Sequence, residues 1–138
     1  ASKKNKEQKS RLHPRNKNIG QYDLNALAIT SSAQKSIFFF NKYGNQSIDF
    51  SNPIAVKLLN KALLNYYYGI KSWDFPDENL CPAVPGRADY IHYIADLLSE
   101  NNKGFIPKGQ QVVGLDIGTG ASCIYPILGV TEYDWTFI

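Results

Sequence analysis

The residues whose types and spacing suit chemistry lie in one run, Gln111-Val112-Val113-Gly114-Leu115-Asp116-Ile117-Gly118-Thr119-Gly120-Ala121-Ser122. Its apolar first half suits a strand buried on both faces. Its second half turns on two glycines and leads into Cys123-Ile124-Tyr125. A strand that delivers a carboxylate, Asp116, to a glycine turn and a helix start describes the opening unit of a nucleotide-type site. Open α/β sheets bind ligands at the carboxyl ends of their strands. Gly118 and Gly120 lack a Cβ, so the backbone there can take unusual dihedrals and admit a ligand closely. The same residues also suit a tight strand-helix turn that binds nothing.

Other reactive side chains are few. Cys81 and Cys123 are the only cysteines, without zinc spacing, and both read as small buried thiols with no disulfide. Cys123 follows the glycine turn, yet no base or oxyanion arrangement is readable around it. No catalytic residue and no metal ligand is therefore named. Arg87 stands at the start of a helical pattern, where a cation opposes the helix dipole. A fixed anionic partner would explain that placement; an ordinary surface arginine is the alternative.

The elements that must position these groups belong to a chain of 138 residues, 43% hydrophobic and 13% aromatic, enough for one domain with a core. No apolar run approaches the ~20 residues of a membrane span. The first residues carry Lys and Asn where a secretory signal would be apolar, so a cytoplasmic protein is expected. The net charge of +3 conceals an asymmetry, with +6 in residues 1–20 and −3 in the remainder. A cationic arm on a mildly acidic body suits a polyanion, although a solvated tail has the same composition.

In chain order, residues 1–20 lack periodicity and read as a mobile arm, in which His13 could hydrogen-bond RNA but, as a lone histidine in a tail, reads more readily as solvated. Tyr22 to Ile29 and Ser32 to Phe39 read as short helices. Phe38–Phe40 and Ser47–Phe50 around Tyr43-Gly44-Asn45 suggest a hairpin, with helix and strand competing for Phe38–Phe40. Asn52, Pro53 and Gly69 bound a helix whose buried face is Ile54, Leu58, Ala62 and Tyr66, aided by Leu59 and Leu63. Lys57, Asn60, Lys61 and Asn65 fall opposite. Residues 70–85 form a proline-broken crossing loop pinned by Trp73 and Phe75. A second amphipathic helix runs from Arg87 to about Glu100 with Tyr90 or Ile91, Ile94 and Leu97 or Leu98 inward. A strand over Val112–Ile117 follows, then a short helix from Ala121 that Pro126 ends or bends early. A second strand begins near Tyr133. A lone buried strand needs neighbours, and the acidic ribose ligand expected after a second strand is missing, so a longer native protein is expected.

Several segments together resemble one family. They are Leu12-His13-Pro14-Arg15-Asn16; Ser47-Ile48-Asp49-Phe50 with Asn52-Pro53 and Ala55-Val56; Val84-Pro85-Gly86-Arg87-Ala88-Asp89-Tyr90-Ile91-His92; and Leu115 through Gly129, LDIGTGASCIYPILG. This set closely resembles the bacterial ribosomal RNA large subunit methyltransferase F family, relatives of an animal small nuclear RNA adenine methyltransferase. The resemblance implies an α/β fold, a Rossmann-like class I S-adenosylmethionine-dependent methyltransferase. Here it would comprise a basic RNA-binding arm (1–20), a mostly helical region with a hairpin (21–109) and the start of the methyltransferase domain (110–138).

It further implies methyl transfer from S-adenosyl-L-methionine to N6 of one adenosine in 23S rRNA. The partner would be 23S rRNA or a pre-ribosomal particle, with no membrane and no metal. Cofactor contacts would fall to Arg87, on the carboxylate, and to Asp116, Gly118, Thr119, Gly120 and Ser122. RNA contacts would fall to Lys9, Arg11, His13, Arg15, Asn16 and Lys17. The family's Asn-Pro-Pro-Phe motif is absent from these residues, so no catalytic residue follows and the fragment alone is expected to be inactive. Two other classes compete: a non-catalytic RNA-binding module, and an NAD-binding oxidoreductase. The latter is disfavoured because Cys123 occupies the third fingerprint glycine's position.

Overall fold

The computed structural model describes residues 11–19, 24–29 and 37–138. Its elements run α1 (Leu24–Ile29), β1 (Phe38–Phe40), β2 (Gln46–Ile48), α2 (Pro53–Tyr68), α3 (Val84–Glu100), β3 (Val113–Gly114), α4 (Ile124–Tyr133) and β4 (Thr136–Phe137). The first short helix begins no earlier than Leu24 among described residues. Most of the second expected short helix lies outside them, and its last residues, Phe38 and Phe39, are strand. They pair antiparallel with β2, Phe38 opposite Ile48, which decides the competition in favour of a hairpin.

α2 starts and stops where local chemistry dictates. The Asn52 side chain accepts from the Ile54 and Ala55 amides, Pro53 needs no donor at the first position, and Gly69 closes the helix at φ 70°. Its buried face is rotated from the expected one. Ala55, Leu59, Asn60, Ala62, Leu63, Leu64 and Tyr68 are inward, while Ile54 and Tyr66 are exposed. Asn60 is buried because it is bonded twice. Its Nδ2 donates to the Val56 carbonyl, and its Oδ1 accepts from the Val84 amide at 2.9 Å, capping α3 from a neighbouring helix.

α3 thus begins three residues before Arg87, and buries Val84, Ala88, Ile91, His92 and Ala95; Tyr90 and Leu97 are exposed. α3 packs on α2 on one side and on α4 on the other. Pro126 does not interrupt α4, because it is the helix's third residue, where an amide would have no intrahelical partner. Cys123 precedes this helix at φ 52° and is exposed, while Cys81 is partly buried; neither is a fully buried thiol.

β3 and β4 pair in parallel, Val113 opposite Thr136 and Gly114 opposite Phe137, with α4 as the crossover. β3 is shorter than the expected strand. Val113, Leu115 and Ile117 are exposed rather than buried, because β4 is its only neighbour among the described residues. Phe137 is wedged between two glycines. A Cβ at Gly114 would lie 2.7 Å from its Cε1, and one at Gly129 would lie 2.6 Å from its Cε2, on the opposite ring edge.

Candidate functional site: a cleft at the glycine turn

β3 ends at Gly114, and the next residues carry Asp116 to the turn at Gly118, φ 78°, and Gly120, φ 66°. A Cβ at Gly118 would meet nothing within 4 Å, so glycine is required there by backbone dihedral, and the space beside it is open. That space is a cleft of about 330 Å³ lined by Arg87, Asp116, Gly118, Thr119, Ser122 and Tyr125, with Leu80 and Cys81 from the crossing loop. Five of the six residues expected to serve a cofactor therefore converge. Gly120 belongs to the same turn but does not line the cleft.

The electrostatics suit a zwitterionic ligand. Asp116 Oδ2 is buried and has no hydrogen-bond partner among the described residues. A carboxylate oxygen left so is costly unless a donor arrives. Arg87 is exposed, and its Nη1 donates to the Tyr125 hydroxyl at 3.0 Å, with no carboxylate of the described residues paired to it. A cation without a carboxylate partner among the described residues and a carboxylate residue line one cleft, charges complementary to an α-amino acid group. Burial pushes the Cys81 thiol up, away from the thiolate a nucleophile requires.

The cleft is held from behind by the crossing loop. The Trp73 indole N–H donates to the Ser122 carbonyl at 2.7 Å, and Trp73 and Phe75 are both buried, as expected of pins. Sequence reasoning missed Tyr125 and the Trp73–Ser122 contact, since no pattern pairs residues 38 and 49 apart. A larger groove, about 390 Å³, lies against α2 near Phe50 and Ile54. Its cation, Lys57, is already engaged by Asp74, Asp77 and the Phe75 carbonyl, so the glycine turn is the better candidate.

The residues expected to grip RNA divide in two. Lys9 lies outside the described residues. In its described part the arm is docked on α3 through His13, Arg15 and Asn16. His13 and Asn16 are buried, which corrects the expectation of a solvated histidine. The Arg15 amide donates to His13 Nδ1, so Nε2 bears the proton and donates to Asp96 at 2.7 Å. Asn16 Nδ2 donates to the Pro85 carbonyl and to Asp89. The Arg15 guanidinium reaches the Tyr133 hydroxyl, the His92 carbonyl and Asp96. The His13 and Arg15 donors hold the Asp96 carboxyl below the usual carboxylate range. These three side chains are engaged in holding the segment, leaving Arg11 and Lys17 exposed. Lys17 pairs with Glu132 at 3.2 Å and lies over the Tyr68 ring.

Among the described residues, no helix is long and apolar enough to cross a membrane, and no group of three His, Cys, Asp or Glu could hold a metal. A family model described as RNA methyltransferase matches residues 6–138. A ribosomal RNA large subunit methyltransferase F of Flavobacterium johnsoniae is 56% identical over 134 residues, 97% of this chain and 42% of that protein. Its namesake in Pseudomonas syringae is 53% identical over 131 residues, 95% of this chain and 40% of that protein. The chain thus spans about two fifths of the curated relatives it matches.

Among solved structures, the N-terminal domain of human METTL16 in complex with SAH superposes with a TM-score of 0.77 at 38% identity, covering 91% of this chain and 47% of that one. The METTL16 catalytic domain in complex with a MAT2A 3′UTR hairpin gives 0.76 at 38% identity, covering 91% and 42%. The α/β arrangement, the glycine turn and its charged cleft accordingly have a family: the chain belongs to the RNA methyltransferase family.

Proposed function

We propose that the full-length protein transfers a methyl group from S-adenosyl-L-methionine to N6 of an adenosine in 23S rRNA. The observation that carries this reading is the cleft lined together by Arg87, Asp116 and the open backbone at Gly118. Arg87 would bind the cofactor's carboxylate and Asp116 its ammonium group, while the turn and Ser122 supply backbone and hydroxyl contacts. When bound, S-adenosylmethionine supplies an electrophilic methyl group on a sulfonium sulfur. An adenine amino group is a poor nucleophile, since its lone pair is delocalised into the ring. The protein's part is therefore alignment, with the base taken out of its stack.

The choice of RNA is supported by the relatives' names and by the METTL16 complex with an RNA hairpin. The basic side chains Lys9, Arg11 and Lys17 would add salt-sensitive affinity for phosphates, while His13, Arg15 and Asn16 hold the segment that presents them. The test is incubation of the full-length protein with methyl-tritiated S-adenosylmethionine and unmodified 23S rRNA, free and in assembling particles. Label is expected in N6-methyladenosine after digestion to nucleosides; no label, or label on another base, would overturn the proposal.

A further inference from the structure

We infer that Tyr125 is a positioning residue of the cofactor cleft, aiming the Arg87 guanidinium at a ligand carboxylate while leaving its charge uncompensated; this rests on the reading of Arg87 given above. A long exposed arginine has much rotamer freedom to lose before it can grip an anion. Here two contacts to Tyr125 confine it, and a third holds the Tyr125 ring. Nη1 donates to the Tyr125 hydroxyl at 3.0 Å, the guanidinium carbon lies 5.7 Å from the Tyr125 ring centroid, and Tyr90 backs that ring at 5.1 Å. A carboxylate partner would orient the same group but neutralise it. A phenol orients it without doing so and occupies one of its five donors, leaving the others free.

The position of Tyr125 in the chain adds to the argument. It is the second residue of α4, three residues beyond Ser122, so it travels with the glycine turn. Arg87 belongs to α3. The hydroxyl therefore ties the two walls of the cleft together. Tyr125 and Asp116 also line a second, mostly apolar cleft of about 320 Å³ between α3 and β3. Packing on Tyr90 alone would need a ring there, but no hydroxyl against the guanidinium.

The experiment compares S-adenosylhomocysteine with 5′-methylthioadenosine, which keeps the nucleoside and thioether but lacks the amino-acid end. Calorimetry is run on the full-length wild type, Tyr125→Phe, Arg87→Ala and the double variant. Tyr125→Phe is expected to raise the Kd for S-adenosylhomocysteine about three- to tenfold, to leave that for methylthioadenosine within twofold, and to add nothing once Arg87 is alanine. If Arg87→Ala weakens S-adenosylhomocysteine and Tyr125→Phe does not, the inference fails while the role of Arg87 stands. Equal losses for both ligands in Tyr125→Phe would also overturn it, assigning the tyrosine to cleft shape. If Arg87→Ala changes nothing, both readings fall together.

Discussion

The Trp73 indole N–H and the Ser122 carbonyl, 2.7 Å apart, join the crossing loop to the far end of the glycine turn. Trp73 is buried and tilted against Phe75, whose ring lies under the Lys57 ammonium. The turn's conformation thus depends on a residue outside the strand-turn-helix unit. Trp73→Phe keeps a buried ring but removes the indole donor to that carbonyl. A lost buried hydrogen bond costs about 1–3 kcal/mol. Urea unfolding is expected to show a loss in that range, and calorimetry a weaker affinity for S-adenosylhomocysteine. An unchanged affinity would mean that the turn holds its shape without the loop.

His92 predicts a pH dependence. The Tyr133 hydroxyl accepts from Arg15 Nε and shares a hydrogen bond with His92 Nδ1 at 2.6 Å, while the buried His92 Nε2 has no partner among the described residues. Burial pushes its pKa below the ordinary 6.5; Glu132 opposes this, His13 and Arg15 reinforce it, and Asp89 opposes it weakly. The folded state then binds fewer protons at His92 than the unfolded chain, so stability rises with pH. That contribution is complete above 6.5 and is lost as pH falls from there through the lowered native value. Asp96, held low, adds a separate loss only below 3.8. Urea unfolding between pH 5 and 8 is expected to show a shallower slope in His92→Gln than in wild type. Parallel slopes would contradict the assignment.

Gly129 tests the wedge at Phe137. Alanine is favoured over glycine inside a helix by about 1 kcal/mol, but overpacking costs about 1–3 kcal/mol. The ring cannot retreat from Gly129 without pressing on Gly114. Gly129→Ala is therefore expected to be net destabilising in urea, and Phe137→Leu in the same chain to recover part of the loss. Additive effects in the double variant would contradict a shared contact.

Arg15 separates holding the segment from gripping RNA. Its three partners lie in α3 and α4. Arg15→Ala is expected to lower unfolding stability by about 1–2 kcal/mol, near the lower range for hydrogen bonds to a charged group because the side chain is partly exposed. The joint change Lys9→Ala and Arg11→Ala should instead flatten the salt dependence of rRNA binding, with a slope reduced by up to about two. A stable Arg15→Ala protein with weakened RNA binding would reverse this division.

What could be read from the sequence was what local chemistry decides. Asn52, Pro53 and Gly69 bound α2 through contacts within one turn, and Asp116 with the two glycines marked the cleft for the same reason. Arg87 was legible through its clash with the helix dipole. The buried face of α2 was not, because Asn60 is drawn inward by the Val84 amide of another helix. Pro126 misled because its effect depends on where α4 begins. His13 read as solvated because Asp96, its partner, is 83 residues away. Tyr125 carries no local signal; only the packing of α3 beside α4 brings it to Arg87.

The central claim, that the cleft beside Arg87 and Asp116 holds the amino-acid end of a sulfonium methyl donor, is tested most directly by one calorimetric comparison. S-adenosylhomocysteine and NAD are each titrated into the full-length wild type and Arg87→Ala. The account predicts that S-adenosylhomocysteine binds in preference to NAD. It predicts that the substitution weakens it by about 1.5–3 kcal/mol, as for a lost charge-assisted hydrogen bond, or roughly ten- to hundredfold. Tighter binding of NAD, or an affinity for S-adenosylhomocysteine indifferent to Arg87, would contradict it.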